Sequence, residues 1–182
     1  HSVSIDTLKH GRHCMENTLP KILREVAGKH AEVYAQYTRK ENGSFLPNTY
    51  KELYEAVLDF GAGLLSLGIK RGDHVGLISD DRKEWQQSSM AIMAIGAADV
   101  PRGCDATDRD LAYILSHAEC RTVLVENEAQ LKKILSIKAD LPILERIISF
   151  DAVSGAGIEE ATAHKIELSL FTDIVSAGKQ YR

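Results

Sequence analysis

Histidine, cysteine and carboxylate side chains at short spacing are the groups in this chain that could carry chemistry. His10, His13 and Cys14 lie three and four positions apart, so a helical backbone would bring two imidazoles and a thiolate to one face, part of a transition-metal ligand set. No fourth ligand follows nearby, and a chain end lends such a set little rigidity, so no metal is assigned. Cys104, in Pro101-Arg102-Gly103-Cys104-Asp105, would need a positioned base to act as a nucleophile, and the sequence offers none. Ser79-Asp80-Asp81-Arg82 follows an apolar run and could present two carboxylates at a sheet edge. Capping the helix that comes next is the simpler role for them. His74 and His117 stand at the start of an extended run and the end of a helical one, and both read as structural.

Phosphate-binding patterns are weak. Gly61-Ala62-Gly63 has the spacing that opens a dinucleotide fingerprint, but it falls inside a helical stretch and Ser66 stands at the sixth position. The fingerprint needs a strand before it and a helix opening on it, so close packing of this helix against a sheet is the expected role. Ser154-Gly155 continues as Ala156-Gly157-Ile158 with no lysine nearby, so no cradle for a triphosphate is read in these residues.

The elements that would position such groups follow from periodicity and punctuation. Thr18-Leu19-Pro20 opens a helix that runs to about Gly28, since proline suits the first turn. Val33, Ala35 and Tyr37 alternate with Tyr34, Gln36 and Thr38, and Asn42-Gly43 turns the chain into Ser44-Phe45-Leu46, a small β-hairpin. Thr49 and Glu52 have capping-box spacing ahead of a helix that Gly68 stops. The strand His74–Ile78 comes next. It leads into a helix from Arg82 to Ile95, apolar on most faces and expected to be deeply buried. Strands at 98–101, 122–125 and 146–150 then alternate with helices at 107–118 and 128–137. Residues 151–163, rich in Ala, Gly, Ser and Thr, read as a loop, and 167–177 as a final amphipathic helix ending at Gly178. This alternation predicts an α/β fold: an open, doubly wound, mostly parallel sheet with helices on both faces, plus the N-terminal hairpin.

The 182 residues carry 22 Lys and Arg against 26 Asp and Glu, with 44% hydrophobic and 26% charged residues. Those fractions exclude collagen-like, coiled-coil and wholly disordered chains. Scattered cations form no stripe for nucleic acid. The longest apolar run, Met90 to Ala98, is too short for a transmembrane segment, which needs about 20 residues. Three widely spaced cysteines fit reduced thiols in the cytoplasm, in a protein that could also sit at the periphery of a membrane. A first residue of His1 suggests a processed or excised chain.

Thr49-Tyr50-Lys51-Glu52-Leu53 and Leu67 to Val75, with Ser79 to Trp85 and Ala94 to Pro101, taken in this order, closely resemble the opening of adenylate-forming, AMP-binding acyl-CoA synthetases. Pro101-Arg102-Gly103 with Asp105 and Thr107, and Leu111 to Leu115 with His117 and Glu119, resemble the long-chain fatty acid–CoA ligase branch. Asp81 and Cys104 depart from the pattern, which has Asn and a hydroxyl residue there.

The resemblance implies that the parent enzyme joins a fatty acid to CoA with ATP and Mg2+, through an acyl-adenylate, releasing pyrophosphate and then AMP. It implies that residues 17–150 form an N-terminal α/β subdomain behind a flexible 1–16 segment, and that 151–182 lead toward a Ser/Thr/Gly-rich phosphate loop outside this chain. The fragment is then expected to fold without catalysing and to hold no cofactor tightly. Its partners would be the remainder of the parent chain, the fatty acid and a second copy of itself in a homodimer. Trp85, Met90 and Met93 match positions that wall the substrate channel, with core packing the leading role of each. No residue is assigned as catalytic, cofactor-binding or metal-ligating. A stand-alone flavodoxin-like or receiver-like binding module would show the same βα rhythm, with Asp80 and Asp81 as a receiver's acidic pair.

Overall fold

The computed structural model describes residues 18–40 and 42–182. The His10, His13 and Cys14 set lies outside them. Helix α1 (Leu19–Lys29) has Pro20 in its first turn, as expected, and leads into the antiparallel hairpin of β1 (Tyr34–Arg39) and β2 (Phe45–Thr49). Gly43 takes a positive φ of 80° in the connecting turn. Helix α2 (Tyr50–Ser66) starts on a complete capping box: Thr49 Oγ1 accepts from the Glu52 N–H, and the Glu52 carboxylate accepts from the Thr49 N–H at 2.7 Å.

The remaining strands are β3 (His74–Ile78), β4 (Ala98–Arg102), β5 (Thr122–Val125), β6 (Arg146–Ser149) and β7 (Glu167–Leu170). They form one parallel sheet in the order β4-β3-β5-β6-β7. The crossovers are α3 (Lys83–Ala94), α4 (Asp108–His117), α5 (Glu128–Ser136) and α6 (Gly155–Ala163), and α7 (Phe171–Tyr181) closes the fold.

Period-two alternation along the strands divides the interior into two cores. Val75, Leu77, Leu124 and Ile148 point to one face, where they meet Phe60 and Leu64 of α2, Ile92 of α3 and Ile174 of α7. Ile78, Val123, Val125 and Ile147 point to the other and meet Leu111 and Leu115 of α4 and Leu131 and Ile134 of α5. Burial on both faces is what an all-parallel sheet requires.

Several expectations are corrected. Residues 155–163 are a helix rather than loop: Ser154 caps it, accepting from the Gly157 N–H at 3.2 Å. Gly157 reflects close approach, since a Cβ there would lie 2.6 Å from Val153 Cγ1 and 3.2 Å from the Glu128 carboxyl carbon, while Gly155 faces open space. The segment 167–177 is not one helix. Glu167–Leu170 pairs with β6, so helical structure begins only at Phe171. Gly178 does not end that helix; it sits inside it, where a Cβ would fall 1.8 Å from the Asp59 carbonyl oxygen of α2.

Gly61 and Gly63 serve packing, but against helices rather than the sheet. Gly61 faces Ala91 and Ile95 near the end of α3, and a Cβ on Gly63 would lie 2.2 Å from the Ile174 carbonyl oxygen. Asp80 and Asp81 do not cap α3, whose N-cap is Arg82 without a side-chain hydrogen bond. Nor is α3 deeply buried on most faces. Gln87, Ser88, Ser89, Ala91 and Ile92 are buried, while Trp85, Met90 and Met93 are only partly covered. No helix among the described residues is long and apolar enough to cross a membrane.

Candidate functional site: a cleft joined to the sheet's carboxyl edge

Two concave regions meet at Asp81 and Trp85. The larger is a cleft of about 880 Å3 between the hairpin, the start of α1 and the exposed flank of α3. Leu19, Tyr37, Phe45, Trp85, Met90 and Met93 line it, with Arg39, Arg82 and Lys83 among its polar residues. The three residues singled out in the sequence, Trp85, Met90 and Met93, thus stand together on one wall. Helical geometry explains the grouping: positions 85, 89 and 93, with 86 and 90 beside them, recur every turn on one flank of α3. The opposite wall is held in place by polar contacts. Gln36 of β1 donates to Gln86 of α3, and Asn48 of β2 donates to Gln36 at 3.1 Å.

The second region is the crevice beyond the carboxyl ends of β3 and β4, bordered by Asp80, Asp81, Arg102 and Gly103, and again by Trp85. Chain direction makes this a natural site. Helix α3 packs on one face of the sheet and α4 on the other, so the winding reverses between β3 and β5, one strand over from the crevice, at the carboxyl edge where open α/β sheets receive ligands.

Three loops at this edge are tied by a polar knot. Asp80 after β3, Cys104 after β4 and Glu126 after β5 bring one ligand-type atom each to within 4.8 Å of the others. Glu126 Oε2 accepts from Ser79 Oγ at 3.0 Å and from the Asp80 N–H at 2.9 Å, and lies 3.5 Å from Cys104 Sγ. Asp80 Oδ1 accepts from the Cys104 N–H at 3.0 Å. Lys133 Nζ then donates to the Cys104 and Ala106 carbonyls at 2.9 and 3.0 Å. Burial, and after it the neighbouring carboxylates, push the Cys104 thiol up to about 11, although the Asp80 contact opposes the shift.

A protonated thiol is a poor ligand, and Mg2+ takes oxygen ligands in near-octahedral array. With the carboxylate oxygens already accepting from the protein, the knot does not fit that ion. Nor does it suit a triphosphate: Asp80, Asp81, Glu84 and Glu126 crowd the same edge with negative charge. The knot braces the loops that frame the crevice. Asp80, the first of the receiver-like pair, is spent on that brace, and Phe150 and Asp151, not a lysine, follow β6.

Two contributors escaped the sequence reading. Glu126 joins the knot from a strand end that carried no motif. Arg82 bridges α3 to the end of β6: its Nε lies 2.7 Å from Glu84, its Nη2 3.0 Å from Asp151, and its guanidinium stands 5.5 Å from the Phe150 ring centroid. An arginine directly after an Asp-Asp pair at a strand end is the one signal that could have pointed to it. His74 and His117 are structural: His74 Nδ1 lies 2.7 Å from the Ala118 carbonyl oxygen, and the His117 ring stacks on Tyr113.

This fold, with a crevice at the carboxyl edge of a doubly wound sheet, is shared by many ligand-binding α/β proteins. The sequence narrows the class. Residues 24–174 match the AMP-binding enzyme family, and the chain belongs to it. A long-chain-fatty-acid–CoA ligase of Xenopus laevis is 26% identical over 133 residues, 73% of this chain and 18% of the relative. Fatty acyl-CoA synthetase A of Dictyostelium discoideum is 26% identical over 141 residues, 77% of this chain and 21% of the relative. Among solved structures, an anthranilate CoA ligase in complex with anthranoyl-AMP superposes with a TM-score of 0.72 at 27% identity, covering 86% of this chain and 27% of that one. The chain therefore spans about a fifth of the length of the curated relatives it matches.

Proposed function

We propose that this chain forms the N-terminal subdomain of a long-chain fatty acid–CoA ligase, and that the apolar cleft beside α3 walls the path of the acid. Such an enzyme converts a fatty acid, ATP and CoA to acyl-CoA, AMP and pyrophosphate. The observation that carries the assignment of the cleft is its junction with the carboxyl edge of the sheet at Asp81 and Trp85. An acid lying along Met93 and Met90 would pass Trp85 before its carboxyl group reached the strand ends. The Xenopus and Dictyostelium relatives, named for fatty acyl substrates and matched along most of this chain, support the long acyl chain. A free flavodoxin-like or receiver-like module would share the strand order but not the family.

The nucleotide and its Mg2+ would be held by residues outside this chain, since the carboxyl edge here is acidic and braced. The test has two arms. Mixed with ATP, Mg2+, palmitate and CoA, the 182-residue chain is expected to release no pyrophosphate, and sustained turnover would refute the placement of the nucleotide grip elsewhere. Titration with palmitate is expected to shift the emission of Trp85, the only tryptophan in the chain. Emission that ignores palmitate while the far-ultraviolet spectrum shows a folded chain would remove the cleft from the acyl path.

A further inference from the structure

The cleft between β1 and α3 is not apolar throughout. Gln36, Gln86 and Ser89 line it among Trp85, Met90 and Met93. Ser89 is already engaged, since its Oγ donates to Asp99 at 2.8 Å. The two glutamines belong to a chain of amides that runs from the hairpin to the helix: Asn48 Nδ2 donates to Gln36 Oε1 at 3.1 Å, and Gln36 Nε2 donates to Gln86 Oε1. Each link occupies the acceptor of the next amide and leaves its donor for the one beyond. The chain ends at Gln86 Nε2, whose N–H donors have no partner among the described residues.

Water serves those donors while the cleft is open. A plain methylene chain filling the cleft would displace that water and offer nothing in return, the costly case of a polar group desolvated without a partner. A hydroxyl on the chain removes the cost, because its oxygen accepts from an amide N–H. The helix sets the position of that hydroxyl. Gln86 directly follows Trp85 in the first turns of α3, whereas Met90 and Met93 lie about 6 and about 10 Å further along the helix axis. A hydroxyl that meets Gln86 is therefore close to the carboxyl group, which lies just past Trp85 at the strand ends, and the rest of the chain runs on over both methionines. Building on the acyl path proposed above, we infer that the cleft selects long-chain 3-hydroxy acids, with Gln86 the residue that reads the hydroxyl.

Trp85 emission reads the binding of each acid by the 182-residue chain, with no nucleotide needed. The chain is titrated with palmitate, 3-hydroxypalmitate and 16-hydroxypalmitate. The 3-hydroxy acid is expected to bind about tenfold more tightly than palmitate, the size of one hydrogen bond restored to a desolvated donor. The 16-hydroxy acid carries its hydroxyl at the far end and should show no such gain. In Gln86→Leu the ratio between 3-hydroxypalmitate and palmitate should fall to about one, since no donor is left to satisfy. Gln86→Met, unbranched and as good a helix former as glutamine, gives the same reading should the leucine variant lose its far-ultraviolet spectrum. Palmitate bound as tightly as 3-hydroxypalmitate would overturn the inference and leave the acyl path standing. So would an equal gain for 16-hydroxypalmitate, or a preference that survives the loss of the Gln86 amide. Emission that ignores all three acids would remove the acyl path and the inference together.

Discussion

Cys104 is a thiol set between two carboxylates and kept protonated. Burial is the largest cause of the shift to about 11, and the charge of Glu126 adds to it. Removing that charge by Glu126→Gln should lower the thiol's pKa and speed its alkylation by iodoacetamide several-fold, on the order of what one nearby charge does to a thiolate population. Peptide-resolved mass spectrometry separates Cys104 from Cys120, which burial also pushes up to about 11 and which should not respond. An unchanged rate at Cys104 would show that burial alone sets its reactivity. Glu128 moves the other way. The Ser154 N–H, then Lys132 and the Ser154 hydroxyl, hold its carboxyl down from the ordinary 4.5 to about 2. A depressed carboxyl favours the fold above its unfolded pKa, and the contribution is lost as pH falls through the folded value. The link between α5 and the start of α6 should therefore loosen between about pH 4.5 and 2, with Glu128→Gln flattening that part of the stability profile.

Elements with a local start or stop signal could be read from the chain. The capping box at Thr49 fixes the first turn of α2 without help from the rest of the fold, and Thr49→Ala should cost about 1 kcal/mol in urea unfolding. Asn42-Gly43 likewise marks the hairpin, and the glycine takes the positive φ that the turn needs. What could not be read depends on a distant partner. Glu167-Leu168-Ser169-Leu170 is a strand because β6 is there to pair with it, and its four residues merged with the helical pattern that begins at Phe171. Residues 155–163 resemble a loop in composition, and of their small residues Gly157 is the one that packing requires, where α6 nears Val153 and Glu128. Glu126 is invisible for the same reason, since only the sheet brings it to Asp80 and Cys104. The wall of Trp85, Met90 and Met93 was legible as a helix face, but that the hairpin stands opposite it was not. Gly178 is the sharpest case, a stop signal locally and a crossing point in three dimensions. Gly178→Ala would drive a methyl group into the Asp59 carbonyl, and backbone cannot yield as a side-chain tip does. A loss of about 3 kcal/mol, in the upper range for overpacking, is expected, with α7 the first element to lose hydrogen-exchange protection.

At the scale of the whole molecule the sheet separates two cores that share no side chain but share the strands β3, β5 and β6. Phe60 lies in the core under α2, α3 and α7, and Leu131 in the core under α4 and α5, each fully buried. Truncation to alanine should cost about 4 kcal/mol at Phe60 and about 3 kcal/mol at Leu131, because each leaves a cavity in a closely packed layer. The strands couple the layers: Val123 and Leu124 are neighbours in β5 yet face opposite cores, so neither face can lose its packing without releasing backbone that the other needs. Trp85 packs against the Phe60 core alone and thus watches one face. If the sheet unfolds as a unit, Leu131→Ala should shift the urea midpoint seen by Trp85 emission as far as the one seen by far-ultraviolet circular dichroism. The double substitution should then show the sum of the two single losses, as distant sites do. A Trp85 transition that stays at the parent midpoint in Leu131→Ala would mean that the two faces unfold separately, and that the carboxyl edge, which draws loops from β3, β4 and β5, lacks a single rigid base.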